Sequence, residues 1–253
     1  MEIGNSQNMI QSTEELQRSR DMPVLNPELD HVVLAEQFER HGRVQIQRVL
    51  SKSSAQRIYS CLAEETRYEL CTNEGEETRV IANPTPAQRQ EFTKAAWGRV
   101  GTHAFQFLYD RHTLSLDGEA YPDQDHYLAK VTNFLNGAEF LNFVRGVTGM
   151  KAIALADAQA TLYRAGHFLT VHEDNKPGPN RLVAYVLSLT ALWRPEWGGL
   201  LEFVNEANQI EDGFVPNFNS LRLFRIPTKH YVSYVAPFAQ AGRYSITGWL
   251  RAR

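Results

Sequence analysis

The sequence is poor in cysteine, with only Cys61 and Cys71 among its 253 residues. Two cysteines can form neither a disulfide framework nor a multi-cysteine zinc or iron–sulfur site, so both are expected to be reduced structural side chains. An excess of positive charge is also missing, because 26 Lys and Arg residues stand against 29 Asp and Glu residues. The formal net charge of −3 lacks the basic footprint that phosphate-backbone binding requires, so nucleic acid is not an expected partner.

Long apolar segments are absent as well. No run of about 18 apolar residues occurs, and the first thirty residues lack an apolar run long enough for the core of a signal peptide. These absences predict a cytoplasmic protein with no membrane contact. The composition, 43% hydrophobic and 22% charged, is typical of a globular protein with a substantial core.

The chain divides into a polar start, a helical region and a β-rich region. Residues 1–28 show no sustained period and are predicted to be a flexible lead-in, and residues 29–253 are predicted to form one domain. Helices are expected near residues 34–41, 54–65, 85–97, 123–135 and 138–147, with short strands at 44–50 and 105–109. From Ile153 onward, short β-type segments alternate with turns, which favours an antiparallel sandwich or barrel. These segments are residues 153–163, 168–171, 182–192, 199–204, 220–226, 231–236 and 243–249.

One histidine stands out by its spacing to an acid. His172 is the only histidine with an acid two positions later, Asp174, and residues i and i+2 of an extended chain point to the same side. His230, which comes just before a later β segment, is a candidate third ligand. Two histidines and one aspartate form the facial triad of non-haem Fe(II) oxygenases, which leaves coordination positions open. The alternative is that His230 lies in a surface loop and that Asp174 only caps a turn.

Arg243 begins the last β segment. On a strand it shares one face with Ser245, Thr247 and Trp249. An inward-facing arginine is costly unless an anion meets it, and its planar fork suits a carboxylate. A dicarboxylic acid is therefore a natural ligand. The alternative places Arg243 at the strand edge in solvent, where most arginines lie.

These motifs together resemble a known family. The sequence is similar to the 2-oxoglutarate- and Fe(II)-dependent prolyl hydroxylases, and most similar to the branch that acts on proline in proteins. The resemblance covers about 100 residues from Ile153 to the C-terminus. It rests on residues 163–175, 181–189 and 197–201, on His230 and on residues 243–249.

The resemblance implies a set of catalytic residues. His172, Asp174 and His230 would hold Fe(II), and Arg243 would bind the far carboxylate of the cosubstrate 2-oxoglutarate. It further implies a double-stranded β-helix, also called a jelly roll or cupin-like fold, with supporting N-terminal helices and a catalytic core over about residues 153–253. The expected fold class is α+β, mainly β.

Further cosubstrate contacts follow from the same resemblance, with one departure. Tyr163 occupies the place of the family tyrosine beside 2-oxoglutarate, and Thr247 is assigned to the same group. The family often has tyrosine where this chain has Ser188, so a second hydroxyl contact is missing. Tyr185 lies on the opposite face of that strand by parity.

The implied reaction is hydroxylation of a C–H bond with O2, releasing succinate and CO2, and ascorbate is the expected reductant. The expected substrate is a prolyl residue of a protein or peptide; a free amino acid or small metabolite is the alternative. Two other classes remain open: a cupin-like protein that binds a metal or small acid without turnover, and a zinc hydrolase that uses the same three ligands.

Several other residues have two interpretations. His167 is a possible fourth ligand, although a polar turn residue is favoured because the triad is already complete. Trp249 is either a wall of the substrate pocket or a core side chain. Trp193 and Trp197 either line a peptide groove or pack a tight turn, and packing is favoured. The remaining histidines, expected to be structural or exposed, are His31, His41, His103, His112 and His126.

Overall fold

The computed structural model describes residues 22–102, 104–175 and 180–253. The predicted turn at residues 176–179, His103 and residues 1–21 of the predicted lead-in lie outside this part of the chain. Within it, every helix is too short or too polar to cross a lipid bilayer.

Helices occur mainly in the first 150 residues, as the sequence predicts. Asp30 caps the first helix and Gly42 ends it at a φ of 65°, a conformation that glycine adopts without strain. Thr85 and Gln88 form a capping box before the third helix, which begins at Pro86. The helices are α1 His31–His41, α2 Lys52–Ser60 with a π-helical continuation Cys61–Glu65, α3 Pro86–Val100, α4 Tyr127–Leu135, α5 Ala138–Thr148 and the 3₁₀ turn Pro195–Trp197.

The strands belong to one strongly curled antiparallel sheet. They are β1 Arg43–Gln47, β2 Glu69–Glu74, β3 Glu77–Ile81, β4 Phe107–Ser115, β5 Leu155–Ala156, β6 Ala158–Tyr163, β7 Phe168–His172, β8 Arg181–Leu189, β9 Leu201–Val204, β10 Ile210–Phe214, β11 Phe218–Arg225, β12 His230–Val232 and β13 Arg243–Arg251. The hydrogen-bonded order is β1-β11-β8-β13-β6-β4-β7-β12-β9-β10, and β2 joins β3 and β4 as an extension.

The sheet folds over into two layers. Strand β4 pairs with both β6 and β7, so the chain of strands turns there from the layer β1-β11-β8-β13-β6 to the layer β7-β12-β9-β10. Side chains from both layers meet inside: Ala184 and Val186 of β8 pack in one cluster with Leu201 and Phe203 of β9. This two-layered antiparallel arrangement confirms the predicted jelly roll.

The helices cover the outer face of the larger layer. On β8 the residues alternate, so Val183, Tyr185 and Leu187 join the helical core while Ala184 and Val186 face the barrel interior. Strands β11 and β13 follow the same rule. The alternation therefore decides which side chains can line an internal site.

Three strands were not predicted from the sequence. The hairpin of β2 and β3 has an almost fully exposed second strand and buries polar residues such as Thr72 on the first, so it lacks an apolar period. Strand β10, which is mostly exposed, fell partly in a segment expected to be a break. The segment predicted as a strand over residues 231–236 forms only the short β12, His230–Val232.

Candidate active site

Strand pairing brings the two candidate histidines together. His172 is the last residue of β7 and His230 the first of β12, and the register of these strands places them directly opposite each other. Their ring centroids are 4.2 Å apart. Asp174, two residues beyond His172, is buried beside them.

The three side chains have the spacing of a metal site. The Nε2 atoms of His172 and His230 lie 3.7 and 3.6 Å from the two carboxylate oxygens of Asp174. Each of the three residues offers one ligand atom, and these three atoms all lie within 4.8 Å of one another. Ligand atoms about 2.1 Å from a shared ion can be up to about 4.2 Å apart, so the histidine–carboxylate distances fit.

Backbone contacts fix the orientation of both imidazole rings. The Nδ1 atom of His172 is 3.0 Å from the carbonyl oxygen of Thr170, and that of His230 is 2.9 Å from the carbonyl oxygen of Thr228. A carbonyl only accepts, so each Nδ1 carries the hydrogen and each Nε2 directs a lone pair toward the site. Burial, together with neighbouring His172, lowers the pKa of His230 to about 4, which keeps this nitrogen unprotonated at neutral pH.

Arg243 lies at the start of β13 inside the barrel. It is 2% exposed, is opposite Tyr163 in the strand register, and holds its guanidinium carbon 4.9 Å from the centroid of that ring. Its Nε has no hydrogen-bond partner among the described residues. Burial lowers the pKa of Arg243. An anion would supply both the missing hydrogen bond and the missing charge.

One cavity of about 540 Å³ connects these groups. Its walls include His172, Asp174 and His230 as well as Arg243. The volume falls within the range of about 300–1,000 Å³ that is usual for small-molecule sites. The structure therefore brings the predicted triad and the predicted arginine to one cavity.

The other predicted cosubstrate residues, Tyr163 and Thr247, also line this cavity. Tyr163 stacks on Tyr109 with centroids 5.2 Å apart and an interplanar angle of 16°, and burial raises its pKa, so its hydroxyl stays protonated. Thr247 faces Gln159 across the β13–β6 ladder, with 3.5 Å between its Oγ1 and the amide nitrogen.

The position that lacks the family tyrosine has an unsatisfied polar atom. Ser188 is 1% exposed, and its Oγ has no hydrogen-bond partner within the described ranges. Tyr185 cannot replace the missing hydroxyl, because it packs in the helical core and donates to the carbonyl oxygen of Asp157 at 2.8 Å.

His167 and the tryptophans have separate positions. His167 is buried in the turn between β6 and β7, outside the three-residue cluster, and its Nδ1 accepts from the amide of Arg164. Trp193 donates to the carbonyl oxygen of Gly198 at 2.8 Å and packs edge-to-face on Trp197. Trp249 lines the cavity, with the Arg181 guanidinium 3.5 Å above its ring.

A second cluster of metal-type side chains lies elsewhere. Cys61, Glu65 and His126 come within the same distance limit. However, Arg57 binds both carboxylate oxygens of Glu65, at 2.7 and 3.2 Å, so the acid is already neutralised. His31 packs on Phe143 and His112 contacts the hydroxyl of Tyr121, in line with the structural roles expected of these histidines.

Two arginines near the cavity were not singled out from the sequence. Arg181 covers Trp249, and Arg222 of β11 is buried inside the barrel. Arg222 stands between Leu221 and Leu223, both of which face the helical core. The arginine between two leucines is visible in the sequence as a charge within an apolar strand. That it faces the barrel interior could be assigned only once the strand pairing was known.

Comparison with known proteins resolves the class. Residues 158–251 match the model of the 2OG-Fe(II) oxygenase superfamily, and this segment contains the triad and Arg243. This segment is similar to the 2OG-Fe(II) oxygenases. The similarity implies Fe(II), 2-oxoglutarate and O2, and the residues described above fit those groups. No curated protein matches the sequence.

Solved structures of this oxygenase fold are similar over most of the chain. An oxidoreductase of the 2OG-Fe(II) oxygenase family from Burkholderia pseudomallei has a TM-score of 0.60 at 15% identity, over 88% of this chain and 91% of that one. A prolyl hydroxylase in complex with a hypoxia inducible factor peptide fragment, from Trichoplax adhaerens, has a TM-score of 0.56 at 16% identity, over 88% and 89%.

A third similar structure is an enzyme of small-molecule chemistry. The non-haem α-ketoglutarate-dependent carbocyclase SnoK from nogalamycin biosynthesis has a TM-score of 0.55 at 12% identity, over 91% of this chain and 87% of that one. At such identities the similarity concerns the fold. The chain thus shares its fold with a prolyl hydroxylase and with a biosynthetic enzyme, and the fold does not select the substrate.

Proposed function

We propose that this oxygenase hydroxylates a C–H bond, converting substrate, O2 and 2-oxoglutarate into hydroxylated substrate, succinate and CO2. His172, Asp174 and His230 would hold Fe(II), and Arg243 would bind the carboxylate of 2-oxoglutarate that is remote from the metal. The observation that supports this most is one cavity that has three convergent ligand atoms in one part and, in another, a buried arginine whose Nε has no hydrogen-bond partner among the described residues.

The protein side chains would orient the reactants and exclude water. The backbone carbonyls that accept from both histidine Nδ1 atoms hold the ligand nitrogens in position before the metal arrives. Tyr163 and Thr247 would flank the cosubstrate along the cavity wall. Bound iron with 2-oxoglutarate and O2 supplies the oxidising power for C–H hydroxylation. His172, Asp174, His230 and Arg243 are the proposed catalytic residues.

The proposed substrate is a prolyl residue in a protein. Support comes from the sequence resemblance to the protein-directed prolyl hydroxylases and from the fold shared with the Trichoplax enzyme, whose structure contains a peptide. The cavity also has aromatic walls at Phe105 and Trp249, and Phe105 is 41% exposed. Aromatic faces suit the proline ring, whose fixed φ reduces the entropy lost on binding.

A small metabolite is the second candidate substrate, favoured by the fold shared with the carbocyclase SnoK. The two candidates differ in where the new oxygen atom appears. The oxygenase is incubated with extract of its source cells, Fe(II), 2-oxoglutarate and ascorbate, and both peptides and small molecules are analysed by mass spectrometry. A His172→Ala protein serves as the inactive control.

A protein substrate predicts one added oxygen atom on specific prolyl residues, dependent on the active enzyme. Hydroxylation confined to free amino acids or other metabolites would contradict the prolyl substrate and leave the oxygenase class intact. Succinate that forms at equal rates with the wild type and the control would contradict the proposed roles of the triad.

Three further properties belong to the same proposal. Ascorbate stimulates turnover by keeping the iron reduced. The enzyme works in a reducing, cytoplasmic compartment, which is supported by its buried and unpaired Cys61 and Cys71. Residues 29–253 form one catalytic domain, preceded by a lead-in over residues 1–28.

A further inference from the structure

A second buried arginine, Arg222, lies inside the barrel close to Arg243. It is 1% exposed and is the largest side chain in the fully buried set. It stands on β11 directly opposite Val186, which lines the central cavity. Buried arginines normally have paired charges, so this residue requires an explanation.

Arg222 is only partly satisfied by the protein. Its Nη2 donates to the carbonyl oxygen of Val215, and its guanidinium carbon lies 5.5 Å from the centroid of the Phe214 ring. Its Nε and Nη1 have no hydrogen-bond partner in the described part of the chain. Burial, reinforced by repulsion from Arg243, lowers the pKa of Arg222 to about 9. Two buried cations thus lie close enough to repel each other.

The strand register shows that both guanidiniums lie toward one end of the barrel. Val215 follows Phe214, the last residue of β10, which pairs with Leu201 at the start of β9. Just before Leu201, a Cβ on Gly199 would lie 3.4 Å from the Cδ of Arg243. The contact of Arg222 with Val215 therefore places its guanidinium near the level of Arg243, away from His230, which pairs with Phe203 further along β9.

Ser188 completes this end of the barrel. Its neighbours in the register are Ser245 on β13 and Ser220 on β11, so three small polar side chains lie in one row. Arg222 is two residues from Ser220 on the same inward face, which makes it a diagonal neighbour of Ser188, within reach for a long side chain. The Oγ of Ser188 is also without a partner within the described residues.

We propose that Arg222 is a second binding residue for the remote carboxylate of 2-oxoglutarate, acting with Ser188 of β8, the strand that lies between the strands of Arg222 and Arg243 in the same layer. This inference rests on the proposed function. One carboxylate would supply an acceptor to the unpaired donors of Arg222, Ser188 and Arg243, and its charge would offset two buried cations. Serine at position 188 leaves the space that the family tyrosine would take, and Arg222 provides the donor that tyrosine would have provided.

A binding role and a structural role of Arg222 predict different effects on stability and on ligand affinity. A buried cation without an ion pair destabilises the ligand-free protein, so replacing it with methionine of similar length should leave stability equal or higher. A structural role predicts the reverse, because the contacts to Val215 and Phe214 would be lost. Binding should depend on Arg222 only when the ligand has its remote carboxylate.

The test measures binding to Fe(II)-loaded, full-length protein by calorimetry without oxygen, so that no turnover occurs. The ligands are 2-oxoglutarate and 2-oxopentanoate, which has a methyl group in place of the remote carboxylate. The variants are Arg222→Met and Arg222→Lys. The control is Arg225→Met on the same strand, where the arginine is exposed and packs over Phe38 outside the barrel.

Arg222→Met should weaken 2-oxoglutarate binding by about tenfold or more and change 2-oxopentanoate binding by less than about twofold. Arg222→Lys, which keeps the charge, should lie between the wild type and Arg222→Met, and Arg225→Met should bind like the wild type. Thermal denaturation of the metal-free proteins should show Arg222→Met at least as stable as the wild type.

Equal affinity of the wild type and Arg222→Met for 2-oxoglutarate would overturn the proposal, as would an equal loss of affinity for both keto acids. If Arg222→Met does not fold, the affinities of Arg222→Lys for 2-oxoglutarate and 2-oxopentanoate test the proposal in the same way. A wild-type protein that binds 2-oxoglutarate no better than 2-oxopentanoate would instead contradict the role of Arg243 and the proposed function as a whole.

Discussion

His167 should make the stability of the metal-free protein dependent on pH. The ring is 4% exposed, and its Nδ1 accepts the amide hydrogen of Arg164 at 3.2 Å. A protonated imidazole has no acceptor and would lose this bond. Burial, with smaller contributions from Arg89 and Arg164, lowers the pKa of His167 to about 4, although nearby Asp110 acts in the opposite direction.

The sign and size of the effect follow from proton linkage. In the unfolded chain this histidine has a pKa near 6.5, against about 4 in the folded protein. Between these pH values the unfolded state binds a proton that the folded state does not, so stability falls as the pH falls. The loss is about 1.4 kcal/mol per pH unit, or about 3 kcal/mol over the whole range. Above about pH 6.5 the contribution is constant.

The assay is urea denaturation with a chelator present, at pH values from 7.5 down to 5, for the wild type and His167→Gln. Glutamine can accept from the same amide but does not titrate. Buried His230 has a similarly lowered pKa, so the difference between the two proteins isolates His167. This difference should shift by about 2 kcal/mol between pH 6.5 and 5 in favour of the variant. A difference that stays constant over that range would refute the reasoning.

Three further predictions concern metal, cosubstrate and stability. The wild type should bind one Fe(II) per chain, as measured by metal analysis. Asp174→Ala or His172→Ala should abolish succinate formation and strongly reduce the metal content, and retained activity in His172→Ala would contradict the triad. Arg243→Met should raise the 2-oxoglutarate concentration needed for half-maximal turnover by more than about tenfold while metal content is unchanged, and an unchanged requirement would contradict the carboxylate contact. Tyr185→Phe should cost about 1 to 3 kcal/mol in urea denaturation, because the Asp157 carbonyl loses its buried donor, without changing 2-oxoglutarate affinity; equal stability would refute the importance of that bond.

Local sequence signals determined much of the architecture. Capping residues such as Thr85 and the stop at Gly42 marked helix ends because they act on the nearest backbone groups. The alternation along β13 showed that Arg243, Thr247 and Trp249 share a face, since strand geometry alone sets that parity. The His172–Asp174 spacing predicted two ligands for the same reason, and the family resemblance implied the chemistry.

Only the tertiary structure decided which distant residues meet. The pairing of β7 with β12 puts His230 against His172 although the two are 58 positions apart in the sequence, and no local pattern encodes that register. The same holds for Arg222, whose closeness to Arg243 depends on β8 lying between β11 and β13. The hairpin of β2 and β3 was not predicted because its residues have no apolar period; backbone pairing holds β3 to β2 and β2 to β4. Local periodicity reports which way a side chain faces, whereas long-range strand pairing decides what it faces.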